Sequence, residues 1–127
     1  MRSIEFRIWL NGSFHYWGFV ELRAGKVFAG LPANNQDRLS MDEAEIRSQQ
    51  FTGLLDKNGK KIWEGDLVKN YYWNDPYKII FYDGSFRRWY GRKEEPTQDI
   101  RGIAFDEFEA KGSEVIGNIY ENSALLK

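Results

Sequence analysis

The sequence predicts a mainly β protein whose short strands bend into a small barrel. Three observations predict it. Asn11-Gly12, Asn58-Gly59 and Asp83-Gly84 each lie between apolar runs, and these are the residue pairs that tight hairpin turns favour. Gly65, in Glu64-Gly65-Asp66, sets a second bend close behind Asn58-Gly59, and closely spaced glycine corners belong to small bent barrels. Rings are abundant: nine Phe, seven Tyr and five Trp make 17% of the 127 residues aromatic, which suits pleated faces.

Residues 3–10 alternate, with Ile4, Phe6, Ile8 and Leu10 on one face and Ser3, Glu5, Arg7 and Trp9 on the other. That is a half-buried strand. Asn11-Gly12 turns it, and Phe14 to Leu22 returns. Trp17 and Phe19 share one face of the return strand; Phe14, Tyr16 and Val20 share the other. Rings on both faces predict cover on both sides. Ala24-Gly25-Lys26 reads as a turn and Val27-Phe28-Ala29 as a short strand. Leu31 to Arg38, with Pro32, Asn34-Asn35 and Asp37, reads as loop. Ser40-Met41-Asp42-Glu43 has capping-box form and predicts a short helix over 41–46. A strand begins after Ile46. The expected division is an N-terminal β-hairpin element over 1–48, packed on a barrel over 49–127.

In the second part, Asn58-Gly59 predicts a type I′ turn with positive φ at both residues. Lys57, Lys60 and Lys61 keep it wet. Gly65 supplies positive φ for the next bend, and Asp66 caps backbone N–H groups there. An EF-hand reading of Asp56, Asn58 and Gly59 fails on spacing. Gly is the fourth residue, not the sixth, and Leu67 stands where the closing Glu belongs. Asn74-Asp75-Pro76 turns the chain, Tyr77 to Tyr82 is a strand, Asp83-Gly84 turns again, and Ser85 to Tyr90 returns. Gly91 to Asp99 is polar loop. A strand is expected at about 101–105, a turn at Lys111-Gly112, a last strand over 115–120, and a closing helical turn over 122–127.

Three stretches resemble the YopX-like family of bacteriophage and prophage proteins. The longest has the form T-G-L-x-D-K-N-G-K-x-I-x-E-G-D-x-V, matched at Thr52, Gly53, Leu54, Asp56 to Lys60, Ile62, Glu64, Gly65, Asp66 and Val68. The opening Met1 to Trp9 is similar to M-R-x-I-x-F-R-x-W, and Glu114 to Asn122 to E-V-I-G-N-I-Y-E-N. The resemblance implies an SH3-type barrel in the C-terminal part, preceded by a smaller β-rich element. It brings no biochemical activity and no catalytic residues. It is silent over 21–47 and 91–112.

Composition narrows the function. Net charge is −1, whereas proteins that coat nucleic acid carry a large positive excess. With no Cys, there is neither a disulfide framework nor thiolate chemistry. The start lacks the continuous apolar core of a signal peptide, and no apolar run approaches a membrane span. These features predict a soluble, intracellular protein without membrane partner or small-molecule substrate, and the resemblance implies that the compartment is the bacterial host cytoplasm. His15 is the single histidine and makes a poor zinc set with scattered carboxylates. Asp42/Glu43/Glu45, Glu94/Glu95 and Asp106/Glu107/Glu109 are sequence neighbours that solvate loops rather than face each other across a cleft. No Ser–His–Asp set, nucleophile elbow or phosphate-binding glycine loop is present. No metal or other cofactor is expected.

Two groups of residues remain as candidates. Trp63, Tyr71, Tyr72 and Trp73 can offer rings to a protein partner, a second copy or a phage or host protein, although core packing competes for them. Phe86 to Lys93 holds four cations and three rings within eight residues. There Arg87, Arg88, Arg92 and Lys93 can hold phosphates while Trp89 and Tyr90 stack on bases. Against this, alternation buries Phe86, leaves Arg87 in water, and Glu94-Glu95 follow at once. The expectation is a non-enzymatic, self-associating phage accessory protein, with a nucleic-acid-binding module as the alternative.

Overall fold

A computed structural model describes residues 4–10, 12–22, 25–29, 48–73, 75–89, 103–122 and 124. The chain divides into two compact units, Met1–Gly53 and Leu54–Lys127. Both are built from antiparallel strands, so the expected mainly β class holds.

In the first unit β1 (Glu5–Leu10), β2 (Ser13–Leu22) and β3 (Gly25–Ala29) form a meander, and β4 (Gln49–Leu55) starts on the far side of β1. The strand order is β3-β2-β1-β4. Leu10 pairs with Ser13 at the hairpin's end, and Gly12 has φ 82°. The register sets Phe6 opposite Trp17, and their rings stack with centroids 4.3 Å apart. Trp9 opposes Phe14, edge to face at 4.8 Å. Ile8 and Leu10 are buried as the alternation requires. Arg7, on the opposite face, is buried too: its Nε donates to Gln49 Oε1 at 2.8 Å and its guanidinium lies 4.0 Å from the Phe14 ring centroid. Gly18 sits mid-strand at φ 109°, and a Cβ there would lie 2.6 Å from the Ile4 carbonyl oxygen. Only glycine allows that approach.

In the second unit β4 ends and β5 (Lys61–Trp63) pairs with it. The other sheet has the order β10-β6-β7-β8-β9, from β6 (Asp66–Asn70), β7 (Tyr77–Tyr82), β8 (Ser85–Trp89), β9 (Ile103–Ala104) and β10 (Ser113–Asn118). Among the described residues no pairing closes this sheet on itself. The core gathers Ile62, Val68, Tyr77, Ile79, Phe105 and Ala110, with Leu54, Trp73, Phe86 and Val115 packed against it.

Several expectations change in detail. Gly59 has φ 79°, but Asp83 is the one non-glycine among the described residues with positive φ, so Asn58-Gly59 is not a type I′ turn. Gly59 N–H donates to Asp56 O at 3.0 Å, and Asp56 N–H to Lys60 O at 2.8 Å. This is the pattern of a type I turn followed by a left-handed glycine. The type I′ turn lies instead at Asp83-Gly84, with φ of 50° and 79° and Tyr82 paired directly with Ser85. The carboxylate run near 106 is not a loop. It opens helix α1 (Glu107–Lys111), whose N-cap Asp106 accepts from Glu109 N–H at 2.9 Å. The last strand ends at Asn118, and its register against β6 shifts between Val115 and Gly117. The expected loop at 31–38, the helix over 41–46 and the polar loop 91–99 lie outside the described residues, as does most of the closing turn.

Candidate functional site

The aromatic candidates separate by burial. Trp63 is 7% exposed and belongs to the interior. Trp73 is half-buried against the core, edge to face with Tyr77 at 4.8 Å. Tyr71 and Tyr72 are 92% and 85% exposed. Their rings stand at 89° to each other with centroids 5.4 Å apart.

Asn70, at the end of β6, fixes this corner. Its Oδ1 accepts from Tyr72 N–H at 3.1 Å, and its carbonyl accepts from Trp73 N–H at 3.0 Å. Its Nδ2 faces Ser113 Oγ at 3.3 Å and the Glu109 carbonyl at 3.5 Å. Asn70 pairs with Ser113, the first residue of β10, so the Tyr71-Tyr72 turn and α1 lie at the same end of this sheet. Phe108 on α1 is 86% exposed and is a third ring at that end. Sequence reasoning missed both Asn70 and Phe108. The legible signal was Asp106-x-x-Glu109, which has the form of a capping box and announces a helix carrying Phe108 outward.

In the described part of the basic segment, both cations are engaged within the fold. Arg88 Nε donates to both Glu109 carboxylate oxygens at 3.2 Å. Its guanidinium lies 4.5 Å from the Trp73 ring centroid and 4.7 Å from that of Tyr77. Trp89 is 6% exposed and presents no ring to a base. Arg87 is half-buried, donates to Ser85 Oγ at 3.0 Å and lies 6.0 Å from the Tyr82 ring centroid. Tyr90, Arg92 and Lys93 lie outside the described residues. Burial pushes the Glu109 carboxyl above its ordinary value. The Arg88 charge and hydrogen bond pull the other way without cancelling it, and Asp106 adds to the rise.

The recurring polar residues of the long motifs serve the backbone. Asp56 Oδ1 accepts from Asn58 and Lys60 N–H at 2.8 and 2.9 Å, and its Oδ2 accepts from Val115 N–H at 3.0 Å. Burial raises the Asp56 carboxyl, but these three N–H groups and the Lys60 charge outweigh burial and hold it below its ordinary value. Asp66 Oδ2 accepts from Trp63 N–H at 2.8 Å across Gly65, as the sequence predicts. Asn118 Oδ1 accepts from Tyr120 and Glu121 N–H, both at 2.9 Å. His15 is half-buried in β2 opposite Ile8. Among the described residues no group of three His, Asp or Glu is placed to hold a metal ion, and no helix is long and apolar enough to cross a membrane.

Comparison with known proteins agrees with this architecture. The chain is similar to a protein of known crystal structure, EF1440 from Enterococcus faecalis, at 23% identity and a TM-score of 0.54, with 100% of both chains covered. That likeness concerns the fold. No match was found among curated proteins. The family described as YopX protein matches residues 5–127. Since that match takes in the middle and closing motif stretches, residues 5–9 of the opening one and nearly the whole length, the chain belongs to the YopX protein family.

Proposed function

We propose that this protein is a non-enzymatic accessory protein of a phage or prophage, working in the bacterial cytoplasm through protein contacts. Its second unit serves as an SH3-type scaffold for an aromatic corner made by Tyr71, Tyr72 and Phe108, and the first partner is a second copy of the chain.

The observation that carries this reading is the exposure of Tyr71 and Tyr72, 92% and 85%, on a turn that Asn70 holds in place. Large rings with polar tips lose little entropy on binding and are enriched at interfaces. A second copy fits the area required. Each ring buries about 150–250 Å². Three rings from each of two copies remove roughly 900–1,500 Å², which spans the roughly 1,000 Å² a specific interface needs. Beside Phe108, Glu107 and Lys111 pair with each other along α1 at 3.1 Å, so the charges flanking that ring are already balanced.

Sedimentation equilibrium over a concentration series tests this. The wild-type chain is expected to dimerise, and Tyr71→Ala/Tyr72→Ala to remain monomeric with unchanged circular dichroism. A wild-type monomer at every concentration, or a double variant that dimerises equally well, refutes the second-copy reading. No binding to single- or double-stranded probes at low salt is expected. Salt-sensitive binding lost in Arg87→Glu would put the nucleic-acid alternative in its place.

A further inference from the structure

The β4–β5 hairpin carries a reactive pair at its tip. Asn58 is exposed, and its side-chain amide makes no hydrogen bond among the described residues. Its neighbour is Gly59, where nothing lies within 4 Å of the place a Cβ would take. A backbone nitrogen without a shielding side chain can attack the carboxamide carbon before it. The bond from Gly59 N to Asn58 Cγ forms, the Cγ–Nδ2 bond breaks, and the Gly59 amide proton leaves with Nδ2 as ammonia. Water then opens the five-membered imide to aspartate or isoaspartate. Only water is consumed, and nothing is oxidised or reduced.

The fold opposes this step at one point. Gly59 N–H donates to the Asp56 carbonyl at 3.0 Å, so the attacking nitrogen is tied into the turn. The Asp56 side chain secures the same turn through Asn58 N–H and Lys60 N–H. We propose that Asn58 is a site of spontaneous deamidation whose rate is set by the Asp56 turn. The change has a structural outcome. An aspartate places a second carboxylate beside Asp56, and an isoaspartate lengthens the backbone by one methylene. Either loosens the turn whose Asp56 also holds Val115 N–H on β10.

The test follows the mass of proteolytic peptides containing Asn58 during incubation at mildly alkaline pH, where deamidation adds about one dalton. In the full chain Asn58 is expected to convert roughly tenfold more slowly than in a synthetic peptide covering Phe51 to Asp66, the factor one secured hydrogen bond supplies. Asp56→Ala is expected to approach the peptide rate. Asp56→Asn, which keeps one side-chain oxygen for Asn58 and Lys60, stays near the wild-type rate. Asp66→Ala weakens the same unit away from Asn58 and is the control for general unfolding. Equal rates in chain and peptide, no conversion in any sample, or equal acceleration by Asp66→Ala and Asp56→Ala would each overturn the proposal.

Discussion

Asp56 joins two segments 59 residues apart, because one oxygen closes the hairpin turn and the other takes Val115 N–H. Asp56→Asn sets an amide NH₂ against one of those N–H groups and is expected to cost about 1–3 kcal/mol at neutral pH in urea unfolding. The pH dependence has a definite sign. The folded carboxyl lies below its ordinary value, so its contribution is present above the ordinary carboxyl range and is lost as pH falls through the folded value. The gap between wild type and Asp56→Asn therefore narrows in acid. Asp56 also explains the misread turn. An Asn-Gly pair announces a hairpin, but the acceptor two residues earlier takes Asn58 N–H and leaves positive φ to Gly59 alone. At Asp83 the strands pair directly across two residues, and both must be left-handed.

Gly117 makes a second residue-level prediction. A Cβ there would lie 2.4 Å from Asn122 Oδ1, the atom that accepts from Asn118 N–H at 3.3 Å. Gly117→Ala is expected to cost about 1–3 kcal/mol by overpacking. Asn122→Gly in the same chain removes the clash, since Asn122 Cβ itself would lie 2.7 Å from the added Cβ, so the double variant is expected to lose less than the sum of the two single losses. A strictly additive cycle would show that the chain yields elsewhere. The closing motif was legible as a motif, but no periodicity reveals that its glycine makes room for its last asparagine.

At the scale of elements, the hairpins were legible along their whole length, whereas α1 was announced only by its cap, Asp106-x-x-Glu109. Strand alternation over 77–82 and 85–89 is strong, since the pattern is read residue by residue. A five-residue helix shows barely more than one turn of its period, and what holds it is tertiary. Arg88 supplies that hold through Glu109, between the Trp73 and Tyr77 rings. Arg88→Met is expected to cost about 2–4 kcal/mol, below the range for a fully buried pair because both side chains are partly exposed. In that variant Glu109 is buried without its cation, and its carboxyl rises further. A raised carboxyl contributes stability below its ordinary value and loses it as pH rises through the folded value. The deficit of Arg88→Met should thus be largest at neutral pH and shrink in acid, as measured by urea unfolding across a pH series.

At the scale of the whole molecule, the β class and the family were legible because long motifs and turn pairs are local. The candidate surface was only half legible. Alternation says which rings share a face, but not which face is covered. So Trp63 and Trp73 stood beside Tyr71 and Tyr72 as equals, and the structure separates them. If Tyr71 and Tyr72 mediate self-association, adding Phe108→Ala to the wild type alone should weaken the dimer without abolishing it, by the same sedimentation measurement.

The distribution of indole rings has a practical consequence. Trp9 and Trp17 belong to the first unit, where Trp17 lies on Phe6, while Trp63, Trp73 and Trp89 belong to the second, two of them in its interior. Each unit therefore holds its own intrinsic fluorophores. Replacing the first pair with Phe leaves an emission spectrum that reports on the second unit alone, so the melting of either half can be observed separately in an otherwise unlabelled chain.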